Sequence, residues 1–279
     1  MPFSSRSSDE IADIIGGIAW QAGQIILDVV AKGFSAHRKS DGSSYTDADL
    51  AAEQYILKEL ERFFPGVPVI AEEETAVQEP EGVGNRQGPQ AFFLVDPLDG
   101  TSGFIRGGQD YTVNIAAVSG TTPLAGTVYA PATGQLWLGG ETARKATCSP
   151  NTQPVTSDFT VISTRPAPAQ GLVAFTSHRH NDGHTEVFLS RLPIVERRSA
   201  SSSLKFCLIA QGDGDIYPRF GQTMEWDTAA ADAVLRAAGG IVLDPQGQPL
   251  VYGRPHDHYI NGPFIAWGDP EAAKTYQQR

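Results

Sequence analysis

Acidic residues follow or interrupt apolar segments at three places along the chain. They are Glu72, Glu73, Asp96, Asp99 and Asp227. Carboxylates at the ends of core elements can converge on a shared edge, an arrangement that folding alone does not require. Carboxylate oxygens are hard ligands of the kind that Mg²⁺ prefers, and Mg²⁺ clusters suit phosphate chemistry. The sequence therefore predicts a magnesium site that acts on a phosphate ester.

The segment Asp96-Pro-Leu-Asp99 carries the most specific local pattern. Asp96 ends an apolar run, and the proline fixes a turn that returns Asp99 to its side. The Leu98 carbonyl lies between them and offers a further oxygen ligand. The small residues Gly100-Thr101-Ser102 follow, and their backbone N–H groups can cradle a phosphate. A plain turn after a strand fits the same residues, because Asp and Gly are ordinary turn formers.

The other acidic residues have structural interpretations when each is taken alone. Three adjacent acids at Glu72–Glu74 are typical of a solvated loop. Asp227 has the residue type and position of a helix N-cap. Asp49 is an acid in a first helical turn, where the helix dipole favours it. The catalytic interpretation gains weight because several such positions agree on one chemistry.

Two basic residues indicate a second anion site. Lys205 follows the hydroxyl-rich run Ser201-Ser-Ser203, and Arg219 follows a short apolar strand. In an acidic protein this pairing suits a second phosphate, with Arg as a bidentate fork and Lys as a point charge. Exposed surface residues are an equally good interpretation of both.

Other catalytic patterns are disfavoured. The histidines lack the spacing and cysteine partners of a zinc site, so a role in loops is expected, although one could touch substrate. The chain has no Gly-x-Ser-x-Gly elbow, Walker loop or dinucleotide-binding glycine motif. These histidines are His178, His180, His184, His256 and His258.

The elements that must position these residues begin with helices. Apolar residues at helical spacing predict a helix over 9–31, capped by Ser8 or Asp9. A second helix is predicted from near Thr46 to Pro65. The stretch 77–90 is predicted to be a loop or hairpin insert. Short apolar runs then predict strands, the last three of them in an antiparallel meander. These strands are 67–70, 91–95, 112–118, 124–129 and 135–138.

A stretch rich in Thr, Ser, Pro and Ala at 145–171 predicts the domain boundary. The predicted domains are 1–155, an α+β unit with most metal ligands, and 156–279, an α/β unit with Asp227. Together they predict a layered αβαβα sandwich. The second unit is predicted to alternate strands at 172–175, 194–197, 214–217 and 241–244 with helices at 183–192, 203–211 and 227–238.

Composition narrows the function classes. The chain has 279 residues and a net charge of −11, which disfavours a nucleic-acid polymer as partner. Cys148 and Cys207 form no paired motif, which fits a reducing cytoplasm. The N-terminus lacks an apolar leader, and no run approaches the roughly 20 apolar residues of a membrane span. A soluble enzyme without a transmembrane segment is expected, and its oligomeric state stays open.

Taken together, these motifs resemble the inositol monophosphatase superfamily of Mg²⁺-dependent, lithium-sensitive phosphatases. The resemblance rests on Ala71-Glu-Glu73, Asp96-Pro-Leu-Asp-Gly-Thr101 and Trp226-Asp-Thr-Ala-Ala230. Within the superfamily the chain is most similar to the CysQ-type 3′(2′),5′-bisphosphate nucleotidases. That likeness covers about residues 10–265, and its further segments are 111–116, 126–131, 202–207 and 217–221.

The resemblance implies roles for individual residues. It implies a site with two or three Mg²⁺ ions, whose ligands are Glu72, Asp96, the Leu98 carbonyl, Asp99 and Asp227. It implies catalytic roles for Asp49, Thr101 and Glu72, the first two near the attacking water. It implies substrate contacts from Leu98, Asp99, Gly100, Thr101, Ser202, Lys205, Arg219 and Asp227.

The implied reaction is removal of the 3′-phosphate from adenosine 3′,5′-bisphosphate, a by-product of sulfate assimilation. An inositol or sugar phosphatase of the same fold is the alternative, and a metal- and nucleotide-binding regulatory protein is the non-enzymatic one. Ser102-Gly103 stands where the subfamily commonly has Lys-Glu, so substrate preference is less secure than metal chemistry. The resemblance also implies that the protein is located in the cytoplasm, which includes the cytoplasmic face of the inner membrane.

Overall fold

The computed structural model describes residues 3, 5–39, 42–77, 89–149, 151–177 and 182–277. Helices and sheets alternate in layers, which confirms the predicted αβαβα sandwich. The outer helices on one side are α1 (Ser8–Lys32) and α2 (Asp47–Phe63). A short hairpin of β1 (Ala36–Arg38) and β2 (Ser44–Thr46) connects them.

The first sheet has seven strands in chain order. Its first pair is parallel and every later pair is antiparallel, which confirms the predicted meander. The short helices α3 (Glu72–Val77) and α4 (Thr101–Phe104) follow its first two strands. The strands are β3 (Val69–Ala71), β4 (Ala91–Asp99), β5 (Thr112–Ser119), β6 (Thr122–Ala130), β7 (Gln135–Gly139), β8 (Ala143–Thr147) and β9 (Thr160–Val161).

The second sheet has five strands in the order β11-β10-β12-β16-β14. These are β10 (Leu172–Thr176), β11 (Ile194–Ser199), β12 (Ile216–Arg219), β14 (Ile241–Leu243) and β16 (Phe264–Trp267). The helices of this half are α5 (Gly183–Ser190), α6 (Leu204–Ala210), α7 (Glu225–Ala237) and α8 (Pro270–Tyr276). The antiparallel pair of β13 (Thr223–Met224) and β15 (Ile260–Asn261) lies beside the start of α7.

Three hydrophobic cores separate the layers, because strand side chains alternate between the two faces of a sheet. On β4, Phe93 and Val95 pack with α1 and α2 in the first core. Phe92 and Leu94 point the other way and pack with α6 and α7 in the second core. The third core joins the second sheet to α5 and α8. α6 and α7 therefore lie between the two sheets.

Several elements differ from prediction. Helix α1 is capped by Ser7, whose hydroxyl accepts from the Glu10 N–H group, and not by Ser8 or Asp9. Helix α7 begins at Glu225 with Met224 as its N-cap, so Asp227 lies inside its first turn. Strands β8 and β9 extend the first sheet into the stretch expected to be the boundary. The division into 1–155 and 156–279 stays a prediction, and most of the predicted insert lies outside the described residues.

Helix α1 is long and apolar enough to cross a membrane by length and composition, with a mean hydropathy of 1.5. Half of its most apolar window is buried in the protein, where Ile11, Ile15 and Ile26 join the first core. Core helices of soluble proteins meet the same criterion. The expectation that the chain has no transmembrane segment stays a prediction.

The close approach of α7 to the first sheet gives a test of the layer order. A Cβ added at Gly126 on β6 would lie 2.3 Å from the Ala230 carbonyl oxygen. Gly126→Ala should therefore lower the free energy of unfolding by about 2–3 kcal/mol, measured by urea denaturation. Gly262→Ala is the control, since in the described part of the chain its Cβ meets no atom within 4 Å. Equal stability of the two variants would contradict this packing.

Candidate active site

A register shift in the first sheet brings Asp96 and Asp99 together. In the β4–β5 pair Asp96 lies opposite Asn114 and Asp99 lies opposite Thr112, with the irregularity between them. One extra residue on β4 thus forms a bulge, a device that re-aims side chains at the ends of strands. The N–H group of Leu98 donates to the Asp96 Oδ1 atom over 3.0 Å, which fixes the turn.

Two further carboxylates reach this edge from other elements. Glu72 opens α3 directly after β3, and β3 is the parallel neighbour of β4. Asp227 comes from the first turn of α7, where its Oδ2 atom accepts the Met224 N–H group at 2.8 Å. The first sheet and the central helix layer therefore supply one cluster, although Asp227 is more than a hundred residues from Asp99 in sequence.

Burial and the charges of neighbouring acids raise the pKa values of Asp96 and Asp227. Asp96 is buried, and the charges of Glu72, Asp99 and Asp227 add to burial in raising its pKa well above the usual range. Asp227 is raised by burial and by Asp99 and Glu72. Asp96 and Asp227 thus both experience the charges of Glu72 and Asp99.

The donors suit a hard divalent cation, since they are carboxylates with a carbonyl oxygen beside them. Within the described residues, no three acidic, histidine or cysteine side chains form a closed set of ligands around one point. Hydrogen bonds to Ser202, Ser203 and Lys39 hold some of the carboxylate oxygens. The predicted assignment of Glu72, Asp96, Leu98, Asp99 and Asp227 as ligands stays a prediction.

Lys39 lies beside this cluster, a position that sequence reasoning missed. Its Nζ atom lies 2.8 Å from Glu72 Oε1 and 2.8 Å from Glu73 Oε1, and its side chain is only 9% exposed. Burial alone would lower the pKa of Lys39, but the charges and hydrogen bonds of Glu72 and Glu73 raise it above the ordinary value. Lys39 therefore stays charged and neutralises part of the cluster.

Thr101 and Asp49 lie together at the edge of the cluster. The Thr101 hydroxyl is 3.3 Å from Asp49 Oδ1 and 3.0 Å from the Leu98 carbonyl oxygen. The other Asp49 oxygen accepts the Thr46 N–H group at 2.8 Å in a capping box of α2. Burial raises the pKa of Asp49, although its bonds to Thr46 oppose the shift. Helix capping thus fixes one oxygen of Asp49 and directs the other to Thr101.

A cavity of about 560 Å³ opens beside the carboxylates. Asp99 and Asp227 line it together with the cations Arg106, Lys205 and Arg219. In the described part of the chain Arg106 has no acidic partner, and no motif had identified it. The cavity thus combines an acidic region with a basic one, as a ligand carrying more than one phosphate would require.

The two predicted basic residues differ in their surroundings. The Nζ atom of Lys205 donates to the carbonyls of Ser202 at 2.8 Å and Ala200 at 3.2 Å, and it lies over the Tyr217 ring. Burial lowers the pKa of Lys205 to about 8, although Asp99 opposes the shift. The guanidinium of Arg219 is held loosely by long hydrogen bonds, including 3.3 Å to Ser177 Oγ. Arg219 is therefore freer than Lys205 to bind an anion.

Comparison with known proteins identifies the family. A model of the inositol monophosphatase family matches residues 7–274. The chain belongs to this family. The 3′(2′),5′-bisphosphate nucleotidase CysQ of Escherichia coli O157:H7 is 38% identical over 255 residues, which are 90% of this chain and 97% of that protein. The protein of the same name from Haemophilus influenzae is 30% identical and covers 90% of each chain.

Solved structures agree with this membership of the inositol monophosphatase family. The crystal structure of CysQ from Bacteroides thetaiotaomicron has a TM-score of 0.78 and 32% identity, and the match covers 94% of this chain and 97% of that one. The suppressor protein SuhB from Bartonella henselae has a TM-score of 0.72 and 23% identity, covering 96% and 97%. This second likeness concerns the fold alone.

Within this inositol monophosphatase fold, His184 lies in α5 and not in a loop, and the expectation that the histidines form no zinc site stays a prediction. None joins a metal-ligating group in the described part of the chain. The ring of His184 stacks with that of Phe220, with the ring centroids 6.4 Å apart. The Nε2 atom of His256 lies 3.4 Å from Asp257 Oδ2. His178 and His180 lie outside the described residues, so any contact of theirs with substrate stays untested.

Glu53 is a second site residue that sequence reasoning missed. Its two carboxylate oxygens accept the N–H groups of Glu73 and Glu74, each at 2.9 Å, and so cap α3. Burial raises the pKa of Glu53 to about 7 despite these bonds. Burial likewise raises the pKa of Glu73 to about 7, against the effect of Lys39. The sequence signal for Glu53 was its place beside Ala52, a residue on the buried side of α2.

These raised pKa values predict how stability depends on pH. Between the ordinary carboxyl pKa of 4.5 and about 7, the folded protein binds protons that the unfolded chain releases. Stability in excess EDTA should therefore fall as pH rises, with a lower unfolding temperature at about pH 7.5 than at about pH 5.5. Added Mg²⁺ should reduce the difference, because a cation favours the ionised acids. An unfolding temperature that rises with pH in EDTA would contradict this.

Proposed function

We propose that the chain is a Mg²⁺-dependent 3′(2′),5′-bisphosphate nucleotidase that converts adenosine 3′,5′-bisphosphate to AMP and phosphate. The observation that carries the proposal is the cavity in which buried carboxylates and basic side chains lie together. The acidic region suits the phosphate to be cleaved, and the basic region suits the phosphate that remains. The curated relatives at 38% identity, which bear the name of this activity, support it.

Two or three Mg²⁺ ions would bind at this site. Their ligands would be Glu72, Asp96, the Leu98 carbonyl, Asp99 and Asp227. When bound, Mg²⁺ neutralises phosphate charge and makes water more acidic. Buried carboxylates with raised pKa values support this assignment, since a cation removes the repulsion that raises them.

Thr101 and Asp49 would orient and deprotonate the attacking water. A hydroxyl between a water and a carboxylate can pass the proton on, because it accepts one hydrogen bond while donating another. The Thr101 hydroxyl already lies 3.3 Å from Asp49 Oδ1. The capping box of α2 holds Asp49 in place without occupying that oxygen.

The phosphate that is not cleaved would bind Arg219, with Lys205 and Ser202 beside it. Arg219 lines the cavity and has only long hydrogen bonds to exchange for a phosphate. Lys205 has one of its N–H donors beyond the two carbonyls that it contacts. Ser202 links this end of the cavity to Asp99 through its hydroxyl.

The proposed cellular role is the clearance of a by-product of sulfate assimilation in the cytoplasm. The two buried, free cysteines fit a reducing compartment. This cellular role rests on the proposed substrate, which is a by-product of sulfate assimilation.

Comparison of substrates tests the proposed function. The rate of phosphate release should be highest with adenosine 3′,5′-bisphosphate, lower with inositol 1-phosphate and fructose 1,6-bisphosphate, and absent in excess EDTA. Asp96→Asn should abolish release while the far-ultraviolet circular dichroism spectrum is retained. Preference for inositol 1-phosphate would favour the monophosphatase alternative, and binding without release from any of these would favour the regulatory one.

The proton-transfer role predicts a defined kinetic change. Thr101→Ala should lower kcat roughly 100-fold or more and raise KM far less, because it removes the group that moves the proton but only one of several substrate contacts. Thr101→Ser is the matched control, as it keeps the hydroxyl and should retain most of the activity. Unchanged turnover in Thr101→Ala would refute the role.

The second-phosphate role predicts a change in selectivity. Arg219→Ala should lower kcat/KM for adenosine 3′,5′-bisphosphate by roughly tenfold to a hundredfold, the effect of one charged hydrogen bond. Hydrolysis of inositol 1-phosphate should be spared, because that substrate has no second phosphate. Arg197→Ala, which removes an exposed arginine paired with Glu186, is the control. Equal losses on both substrates, or none, would remove the basis of the bisphosphate assignment.

A further inference from the structure

A pair of polar residues lies where the hydrophobic face of β5 would otherwise continue. Thr112 and Asn114 are 0% and 1% exposed, and the register sets them opposite Asp99 and Asp96. On the same face of β5, Ala116 and Val118 are buried in the second core. A buried polar group lowers stability unless it is hydrogen-bonded, so an apolar residue of similar shape would serve folding at least as well.

Thr112 contacts residues 202 and 203, and these two residues bind the Asp99 carboxylate. Its Oγ1 atom lies 2.6 Å from Ser202 Oγ and 2.8 Å from Ser203 Oγ. The Ser203 N–H group donates to Asp99 Oδ2 at 3.0 Å, and the Ser202 hydroxyl donates to the same oxygen. A continuous path of hydrogen bonds therefore runs from Thr112 on β5 through the Ser202 hydroxyl to one oxygen of Asp99, and the Ser203 N–H group holds the same oxygen.

Asn114 joins the same network. Its Oδ1 atom accepts from Ser203 Oγ at 2.8 Å, while its Nδ2 atom is buried without a well-aligned hydrogen bond among the described residues. The Asn114 side chain is nevertheless close enough to Asp99 to oppose the rise that burial causes in the pKa of that carboxyl. Ser202 has a φ of 59°, in the left-handed region that serine rarely adopts. Strain and a buried donor without a well-aligned hydrogen bond, beside a cluster of acids, are features that persist where function maintains them.

We propose that Thr112 is a positioning residue for Asp99. Through Ser202 and Ser203 it fixes Oδ2, so that the other oxygen remains directed to the cluster containing Asp96 and Asp227. The role rests on the proposed metal site, because an ordered Asp99 matters only if a cation binds there. It differs from a structural role in its consequence, which is the affinity for Mg²⁺ and not stability alone.

The test uses two identical substitutions on adjacent strands. Thr112→Val removes the hydroxyl and keeps the shape of the side chain. Thr127→Val does the same at a threonine on β6 that is also 0% exposed, whose hydroxyl donates to the Trp137 carbonyl at 3.2 Å, away from the site. Calorimetric titration of each purified protein with Mg²⁺ alone gives the dissociation constant without reliance on activity.

Thr112→Val should weaken Mg²⁺ binding about fivefold to tenfold, the effect of losing one hydrogen bond that orders a ligand. Thr112→Ser and Thr127→Val should bind as the wild type does. Equal weakening in both valine variants, or none in Thr112→Val, overturns the proposal.

If Thr112→Val does not fold, Ser202→Ala breaks the same path at the hydroxyl that donates to Asp99, and unchanged Mg²⁺ affinity in that variant overturns the proposal. Failure of the wild type to bind Mg²⁺ would instead overturn the proposed function. The two failures are therefore distinguishable.

Discussion

The repulsion between buried carboxylates is the interaction on which the arrangement of this protein depends. Asp96 is buried where unpaired charge is costly, and the charges of Asp99 and Asp227 raise its pKa, while Asp99 also raises the pKa of Asp227. Two cations offset part of this charge, Lys39 beside Glu72 and Lys205 near Asp99. Lys39 is held by Glu72 and Glu73 and Lys205 by the carbonyls of Ala200 and Ser202, so neither cation pairs directly with Asp96 or Asp227 among the described residues. Such a cluster suits a divalent cation and, through it, a phosphate.

The layered fold makes this concentration of charge possible. Asp96 and Asp99 belong to the first sheet, and Asp227 to the helix layer that both sheets share. The close fit of α7 on β6, where Gly126 admits the Ala230 carbonyl, sets the position of Asp227 relative to Asp99. Packing in the second core therefore has a direct effect on the site. The cavity lies where the layers meet, so one ligand can contact the first sheet and β12 together.

The sequence predicted much of this, for identifiable reasons. Asp96-Pro-Leu-Asp99 combines ligand and turn in four consecutive residues, and the meander shows as apolar runs between turns, so both are local patterns. Lys39 and Glu53 escaped prediction because their partners lie 33 and 20 residues away and only the tertiary structure pairs them. Asp227 was expected to be an N-cap, but the backbone of Met224 begins the helix. β16 was missed, as its pairing with β12 spans many intervening residues.

The most direct test of the central claim is a crystal structure of the protein soaked in Mn²⁺, with the ion located by anomalous scattering. Mn²⁺ prefers the same oxygen ligands as Mg²⁺, and its anomalous scattering locates the bound ion. The account predicts Mn²⁺ bound between Asp96, Asp99 and Asp227, with the Leu98 carbonyl and Glu72 among its ligands. Mn²⁺ bound elsewhere, while these carboxylates keep only protein partners, would contradict it.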